Sequence, residues 1–515
     1  ANHFELLNGM EHAIKHRGPD GYGYWLNENN SVGFIHRRLS IQDPHPHSRQ
    51  PFFSANKQIT ISFNGEIYNH PELKQQLIKR GYQYTTNCDT ETLVFAYQEW
   101  GIACLEKLNG MFAFALFDAA TGDLFLVRDR FGIKPLYFSE LGGIVSFASE
   151  IKALRTLPFV HTSVCQEIIA HYLSLMITPA PLTIFNGIYK LPAGWFARVD
   201  KSMNLSFHQW YSPLSALTSP QTSISEAQAT DLLDEKLASS VKHMLIGDRP
   251  VGAFLSGGLD SSLIVALMAP HAQNISTFSI GYDQTFNDNE LVYAKQVAKL
   301  FKTNHHEVLF NEQQAHEQLD AIVAQLDEPH ADPVCIPFSA ISQKAREANI
   351  PVVLVGEGAD ELFLGYELYK KYHRYNRLGL SSSQSFLPQG VKNMLASVGA
   401  SFFKQSDFYQ DLVANWRDNR ALFWSGALSF TQTSIRQNLN SSTPLLKNVD
   451  AMHDPIVEKI YPGMLVSGDT HDIISYHRKK LLQALPNASL EQEMTYLELT
   501  HRLPELLLMR ADKMS

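Results

Sequence analysis

The stretch Val251-Gly-Ala-Phe-Leu-Ser-Gly-Gly-Leu-Asp-Ser-Ser262 decides the fold of the second half of the chain. Its first five residues form a short apolar run typical of a buried parallel strand, and Ser256 to Asp260 are a tight polar turn. From Ser261 onward the apolar residues have helical spacing. A strand, a Gly-rich turn and a helix N-terminus together direct backbone N–H groups and a helix dipole at an anion. The stretch therefore predicts a cradle for pyrophosphate.

This loop differs from two familiar phosphate loops. No Lys follows its glycines, as in a Walker loop, and it lacks the G-x-G-x-x-G spacing of dinucleotide folds. Gly257 and Gly258 allow the backbone to approach phosphate closely, and Asp260 can hold a magnesium ion. The hydroxyl donors of the loop are Ser256, Ser261 and Ser262. Taken alone, the loop is also compatible with an ordinary Ser/Gly turn before a helix.

Composition indicates a soluble globular protein. The 515 residues are 44% hydrophobic and 18% charged, and this length suggests roughly three domains. The net charge of −9 disfavours nucleic acid and anionic membranes as partners, and no apolar run approaches the length of a membrane span. The four cysteines follow no zinc or disulfide pattern, which favours a reducing cytoplasm.

The pattern of predicted secondary structure changes near residue 226. Residues 1–200 are β-rich, and 201–225 are predicted to be a linker because most of this stretch is rich in Ser, Thr and Pro. From 226 to 515, strands alternate with helices, which predicts a parallel, doubly wound sheet, with mainly helix beyond about 375. Predicted strands lie at Ile59–Phe63, Phe112–Phe117, Leu124–Arg128, Val145–Ala148, Val251–Leu255, Thr277–Gly281 and Pro351–Val355.

Further polar clusters follow the predicted strands of the second region. The run from Leu354 to Glu361 turns on Gly356 and Gly358 and projects Glu357 and Asp360. A second acidic turn spans 326–333, and the strand at 277–281 ends where an adenine could lie against the backbone. Ligands bind beyond the carboxyl ends of parallel strands, and magnesium prefers carboxylates and phosphate oxygens. Each cluster alone fits a solvated turn, whereas all of them beside the Ser/Gly loop favour a nucleotide site.

The motifs SGGLDSS, TFSIG, LDEPHADP and GEGADELFLGY, in this order, resemble the synthetase domain of asparagine synthetases, which are N-type ATP pyrophosphatases. The first region resembles a class II glutamine amidotransferase domain. Its motifs are His16-Arg-Gly-Pro-Asp20, His36-Arg-Arg-Leu-Ser-Ile41, Phe63-Asn-Gly-Glu-Ile-Tyr-Asn69, Cys88-Asp-Thr-Glu91 and Arg128-Asp-Arg-Phe-Gly-Ile-Lys-Pro-Leu-Tyr137. The resemblance implies an α+β, Ntn-hydrolase-like αββα sandwich over 1–200, followed over 226–515 by an α/β doubly wound ATP pyrophosphatase domain with extra helices.

For the first domain, the resemblance implies a pocket for glutamine. Arg38 would pair with the α-carboxylate of the ligand, and Glu66 and Asp89 would hold its ammonium group. The Asn64 side chain and the Gly65 N–H would stabilise the tetrahedral oxyanion. Asn-Gly is also a strong hairpin signal, and only the neighbouring motifs favour the oxyanion hole over a plain turn.

For the second domain, the resemblance implies ATP-dependent amidation of a carboxylate, that of aspartate. The carboxylate attacks the α-phosphate to give an acyl-adenylate, and ammonia from glutamine completes the amide. Asp260 and Asp360 would hold Mg²⁺, Glu357 would be the general base, and Lys513 would stabilise charge in acyl transfer. The implied ATP-binding residues are Leu255, Ser256, Gly257, Gly258, Asp260, Ser261, Ser262, Ile280, Gly356 and Glu357. A homodimer is compatible with this family.

Three departures from the family pattern stand out. The family nucleophile is an N-terminal Cys about thirty residues before the His-Arg-Gly-Pro-Asp motif, whereas this chain begins at Ala1. We therefore expect a natural N-terminus upstream of Ala1, with an exposed Cys. The segment containing Lys513 normally continues beyond the point where this chain stops, so we expect further residues there too. Leu364 stands where the family has the first Gly of a Phe-Gly-Gly-Tyr motif.

Two other readings are compatible with parts of the sequence. A related synthetase could act on a peptide, a β-amino acid or a sugar acid, although self-cyclisation needs no glutamine clamp. A catalytically inactive glutamine sensor is disfavoured by the intact set of acidic and basic residues, which comprises Asp260, Glu357, Asp360 and Lys513.

Overall fold

The structure is a computed structural model that describes residues 3–160, 162–219, 223–282, 290–377, 388–402, 406–426, 429–435 and 453–515. Ala1 lies outside these ranges. The strands are β1 (Gly21–Leu26), β2 (Gly33–Arg38), β3 (Phe52–Phe53), β4 (Ile59–Ile67), β5 (Gly110–Asp118), β6 (Asp123–Arg128), β7 (Tyr137–Leu141), β8 (Ile144–Ala148), β9 (Tyr189–Lys190), β10 (Trp195–Val199), β11 (Leu205–Gln209), β12 (Val251–Phe254), β13 (Ser276–Tyr282), β14 (Asn304–Phe310) and β15 (Val352–Leu354).

Helices make up most of the remaining regular structure. The α-helices are α1 (His3–Ala13), α2 (His70–Lys79), α3 (Asp89–Trp100), α4 (Ile151–Leu154), α5 (Gln166–Leu175), α6 (Leu214–Leu217), α7 (Glu226–Met244), α8 (Leu259–Met268), α9 (Glu290–Phe301), α10 (Glu312–Leu326), α11 (Cys335–Glu347), α12 (Ala359–Phe363), α13 (Glu367–Arg377), α14 (Gln389–Phe402), α15 (Asp407–Arg417), α16 (Pro455–Ile460), α17 (Thr470–Ala484), α18 (Leu490–Leu497) and α19 (Met509–Met514). A π-helix spans Glu498–Leu508, and 3-10 helices lie at Lys15–Arg17, Pro46–Ser48 and Gly101–Lys107.

The first domain is built on an antiparallel sheet with the strand order β11-β10-β6-β5-β4-β3. Strand β5 is apolar on both faces, because alternate side chains of a strand point to opposite sides and both sides are covered. Phe112 packs with residues of α2 and α3, whereas Ala113 packs against Phe138 of a second sheet.

The second sheet has the order β8-β7-β9. Its strand β7 directs Phe138 toward the larger sheet and Tyr137 toward the outside, where α1 and α4 cover it with residues such as Met10 and Leu154. The layers are therefore helix, sheet, sheet and helix. The predicted α+β αββα sandwich is confirmed.

The second domain contains a parallel sheet with the order β14-β13-β12-β15. One face packs against α7, α8 and α9, through Val265 and Ala294 among others. The opposite face packs against α10 and α11, through Ile322 and Phe338. Helices on both faces of a parallel sheet make it doubly wound, so this prediction is also confirmed.

Two local features differ from the sequence prediction. Helix α8 begins at Leu259, two residues before the predicted start, so Asp260 lies in its first turn. Within the stretch 201–225, residues Leu205–Gln209 form β11, which pairs with β10 at the edge of the sheet. The domain boundaries themselves stay a prediction. In the described parts of 375–515, regular structure is helical, and no helix among the described residues is long and apolar enough to cross a membrane.

Candidate functional site

The structure brings the five predicted glutamine-pocket residues together from three elements. Arg38 is the last residue of β2, the run Asn64-Gly-Glu66 lies in β4, and Asp89 is the first residue of α3. The charges of Arg38 and Asp89 interact, as do those of Asp89 and Glu66. The guanidinium and the two carboxylates therefore lie close enough for their charges to interact, and Asn64 lies two residues before Glu66 in the same strand.

Asn64 and Gly65 lie inside a strand and not in a hairpin turn. In β4 they pair with Ala113 and Phe112 of β5. Gly65 has a φ of +155°, and a Cβ there would lie 2.1 Å from the carbonyl oxygen of Met111, so the position requires glycine. The Asn64 Nδ2 is shielded from solvent and has no hydrogen-bond partner among the described residues. Such a donor is costly to bury unless a ligand oxygen accepts from it.

The two carboxylates of the pocket are held in an environment that disfavours their charge. Burial, and then the neighbouring Asp89, raise the pKa of Glu66 to about 8. Burial raises the pKa of Asp89 to about 6, although its carboxylate accepts the Ile67 N–H at 2.9 Å and lies near Arg38. A cationic ligand between them would remove this penalty.

Arg38 is held by the loop that follows its strand. Its guanidinium donates to the carbonyl oxygens of Gln42 at 3.1 Å and Asp43 at 2.7 Å. Burial lowers the pKa of Arg38. The predicted motif at 16–20 packs directly beneath, because a Cβ at Gly18 would lie 2.4 Å from the backbone nitrogen of Arg38.

In the second domain, the Ser/Gly loop is closed by its own hydroxyl groups. The Ser256 and Ser261 hydroxyls lie 2.9 Å apart, and the Gly258 N–H donates to Ser256 Oγ at 3.2 Å. Gly257 has a φ of +86°, and a Cβ there would lie 2.6 Å from the backbone nitrogen of Ala294 in α9. Ser262 belongs to the first turn of α8, where its N–H donates to the Gly258 carbonyl at 3.1 Å.

The loop after β15 lies against the start of α8. A Cβ at Gly356 would lie 3.1 Å from the Asp260 Cβ, so the two loops touch. Burial, and then the negative charge of Asp360, raise the pKa of Asp260. Leu255 is anchored by its N–H to the Phe278 carbonyl at 2.8 Å, which places Ile280 of β13 at the same end of the sheet.

Glu357 leaves the end of β15 and meets an arginine from the far end of the chain. The Arg510 guanidinium donates to Glu357 Oε1 at 2.5 Å and also to Asp332. Burial raises the pKa of Glu357, whereas Arg510 acts in the opposite direction. Sequence reasoning missed Arg510, and its only sequence signal is its position in the segment that also contains Lys513.

The contacts of the Lys513 ammonium group are with residues outside the loop at 256–262. Its ammonium group is fully buried at the junction of the two domains, where it donates to Asp327 at 2.9 Å and lies over the Tyr137 ring. Leu364, which ends α12, adopts a φ of +57°. This left-handed conformation suits the glycine that the family has at that position.

The junction between the domains is rich in buried ion pairs. Asp512 accepts from Arg17 at 2.8 Å and from Lys134 at 3.0 Å, and Arg128 pairs with Glu505 at 3.1 Å. These arginine and lysine residues belong to motifs of the first domain, and the structure assigns them to the contact between domains. Among the described residues, no group of three or more His, Cys, Asp or Glu side chains is spaced to hold a metal ion.

Comparison with known proteins identifies two family matches along the chain. Residues 1–211 match the family described as a glutamine amidotransferase domain, and residues 232–515 match the family described as asparagine synthase. The chain is 34% identical over 400 residues to asparagine synthetase [glutamine-hydrolyzing] 1 of Bacillus subtilis, which covers 78% of this chain and 61% of the relative.

Two further relatives are similar in kind. A putative asparagine synthetase of Mycobacterium tuberculosis is 36% identical over 371 residues, covering 70% of this chain and 56% of the relative. A putative asparagine synthetase 2 of Methanocaldococcus jannaschii is 34% identical over 393 residues, covering 72% of this chain and 74% of the relative. The match thus spans less than two thirds of the Bacillus and Mycobacterium proteins.

Proposed function

Because this chain belongs to the asparagine synthase family and carries a glutamine amidotransferase domain, we propose that it is a glutamine-dependent asparagine synthetase. ATP adenylates the side-chain carboxylate of aspartate with release of pyrophosphate, and ammonia from glutamine then displaces AMP to form the amide. Its relatives that bear the name of this activity support the proposal.

The observation that carries the proposal is the unpartnered Asn64 amide beside Glu66 and Asp89. A buried donor without a partner and two carboxylates with raised pKa values form a site that gains from an oxyanion and an ammonium group together. The amide and α-ammonium of glutamine supply these groups. Arg38 completes the pocket by pairing with the α-carboxylate.

In the first domain, the residues bind and polarise glutamine. Asn64 Nδ2 and the Gly65 N–H donate to the oxyanion that forms when the amide is attacked, and one such donor is worth about 3 kcal/mol. Cys88 directly precedes Asp89 at the start of α3, but burial raises the pKa of its thiol, which makes it a poor attacking group.

In the second domain, the Ser256–Ser262 loop and the α8 N-terminus receive the phosphates of ATP. Asp260 and Asp360 would hold Mg²⁺, because both supply the hard carboxylate oxygens that suit this ion and the charge of Asp360 acts on Asp260. When bound, the ion would neutralise phosphate charge. Glu357 would take a proton from the attacking ammonia. Arg510, rather than Lys513, is the cation that contacts Glu357.

Product analysis of the full-length protein tests this proposal. The enzyme is incubated with amide-¹⁵N glutamine, ATP, Mg²⁺ and a panel of carboxylates that includes aspartate, a β-amino acid and a sugar acid. We expect ¹⁵N-labelled asparagine with one AMP and one pyrophosphate for each amide formed. ADP and phosphate as the stoichiometric products would refute the proposed adenylation. A labelled amide of another carboxylate would show that this carboxylate, and not aspartate, is the acceptor.

A further inference from the structure

Arg510 occupies an unusual position for a charged residue. It lies in the six-residue helix α19, only 5% exposed, and its guanidinium donates to Glu357 at 2.5 Å and to Asp332. It lies over the Phe338 ring, 5.6 Å from its centroid. A guanidinium bound at two of its edges has a fixed plane, and this plane fixes the carboxylates on either side.

The surroundings of Glu357 explain why this contact matters. Burial disfavours the charged form of this carboxylate, and the nearby carboxylates Glu361 and Asp332 disfavour it further. Arg510 is the cation that opposes them. Glu361 has its own cation, because Arg502 donates to it at 3.1 Å. Loss of Arg510 would therefore leave Glu357 and Asp332 facing each other without compensation, which favours a neutral, reoriented carboxyl group.

We propose that Arg510 is the positioning residue of the amide-forming step: bridged to Asp332, it holds Glu357 ionised and oriented toward the attacking nitrogen. This inference rests on the proposed function. In that step the nitrogen lone pair forms the C–N bond, the C–O bond to AMP breaks with its electrons, and the surplus proton on nitrogen passes to Glu357. Adenylation, which precedes it, requires no base at this position in the proposed scheme.

The test separates these two half-reactions in the full-length enzyme with ammonium chloride as the nitrogen source. Aspartate-dependent ATP–pyrophosphate exchange reports adenylation, and asparagine formation reports the whole reaction. We expect Arg510→Gln to lower asparagine formation about 10²–10³-fold, as loss of a general base does, while exchange stays within about threefold. Arg510→Lys should recover part of the lost rate, since it restores the charge but not the bridging geometry. The exposed Arg346→Gln is the matched control.

A double-mutant cycle distinguishes positioning from a purely structural role. If Arg510 acts through Glu357, Arg510→Gln should cost less than about threefold in a Glu357→Gln background. Equal losses in both backgrounds, or exchange that falls in parallel with amide formation, would overturn the inference. If Arg510→Gln does not fold, the same cycle with Arg510→Lys decides. Absence of asparagine formation by the wild-type enzyme would instead refute the proposed function.

Discussion

The two candidate sites of this protein differ in how much of their structure exists before a ligand arrives. In the glutamine pocket, Glu66 and Asp89 are buried and their neighbours are fixed by strands and a helix start. In the ATP loop, by contrast, Ser256 is exposed and Leu259 is 83% exposed. The hydroxyl groups of Ser256 and Ser261 there bond to each other. A small ligand with few contacts needs a preorganised pocket. A nucleotide supplies many contacts itself, so its loop can stay open.

The largest effect should come from the base at the open site. Glu357→Gln keeps the shape of the side chain but removes its ability to accept a proton, so amide formation should fall about 10²–10⁴-fold. ATP binding, measured by equilibrium titration, should survive because the Ser/Gly loop is untouched. Near-normal asparagine formation would show that Glu357 has no such role.

The next effect belongs to the preorganised site alone. Arg38→Ala removes the partner of the glutamine α-carboxylate. The kcat/KM for glutamine should therefore fall by the equivalent of about 2–5 kcal/mol of transition-state stabilisation. Synthesis from ammonium salts should be unchanged, since it bypasses this pocket. The exposed Arg49→Ala in the same loop is the control. Parallel loss of both activities in a folded variant would contradict the separation of the two sites.

Substitution of two adjacent glycines tests how the ATP loop packs against α9. Gly257→Ala places a methyl group against the backbone of α9 and demands a left-handed φ, so the unfolding free energy should fall by about 2–4 kcal/mol. Gly258→Ala meets only Ser256 Oγ, at 3.3 Å, so its unfolding free energy should lie within about 0.5 kcal/mol of wild type. Denaturant titration of both variants checks this, and equal losses would refute the packing argument.

The smallest effect concerns the cost of the preorganised pocket. The pKa of Glu66 is about 8 when folded against 4.5 in the reference state, so the folded protein binds more protons between these values. The contribution of this group to stability therefore decreases as pH rises from about 4.5 to 8 and stays low above it.

Replacing Glu66 by Gln removes this pH dependence. At pH 9 the variant should be more stable than wild type by about 1–2 kcal/mol, and the difference should vanish near pH 4. Thermal unfolding across this pH range measures it, while glutamine binding should be lost. A constant stability difference at all pH values would show that the ionisation of Glu66 is not the cause.

Regular patterns in the sequence were sufficient for the strands and the doubly wound sheet, whereas the αββα sandwich followed from the family resemblance. Strand β13 extends the predicted 277–281 segment by one residue at each end, and strand β6 begins one residue before the predicted segment at 124–128. These agreements arise because periodicity of two or 3.6 residues follows directly from backbone geometry. The Asn64-Gly65 dipeptide shows where prediction from neighbouring residues fails. This pair favours a turn, but it lies within β4, where pairing with β5 determines its conformation.

What the sequence by itself determined is the order of domains, the strands and the loops that carry the motifs, because each depends on residues close together in the chain. Only the tertiary structure decided which side chains meet. Arg510 reaches Glu357 from 153 residues away. Lys513, three residues later, donates to Asp327 of its own domain and lies over the Tyr137 ring of the first domain. Local spacing cannot separate these two cations, because their partners depend on how α19 packs between the domains, and that packing is a property of the whole molecule.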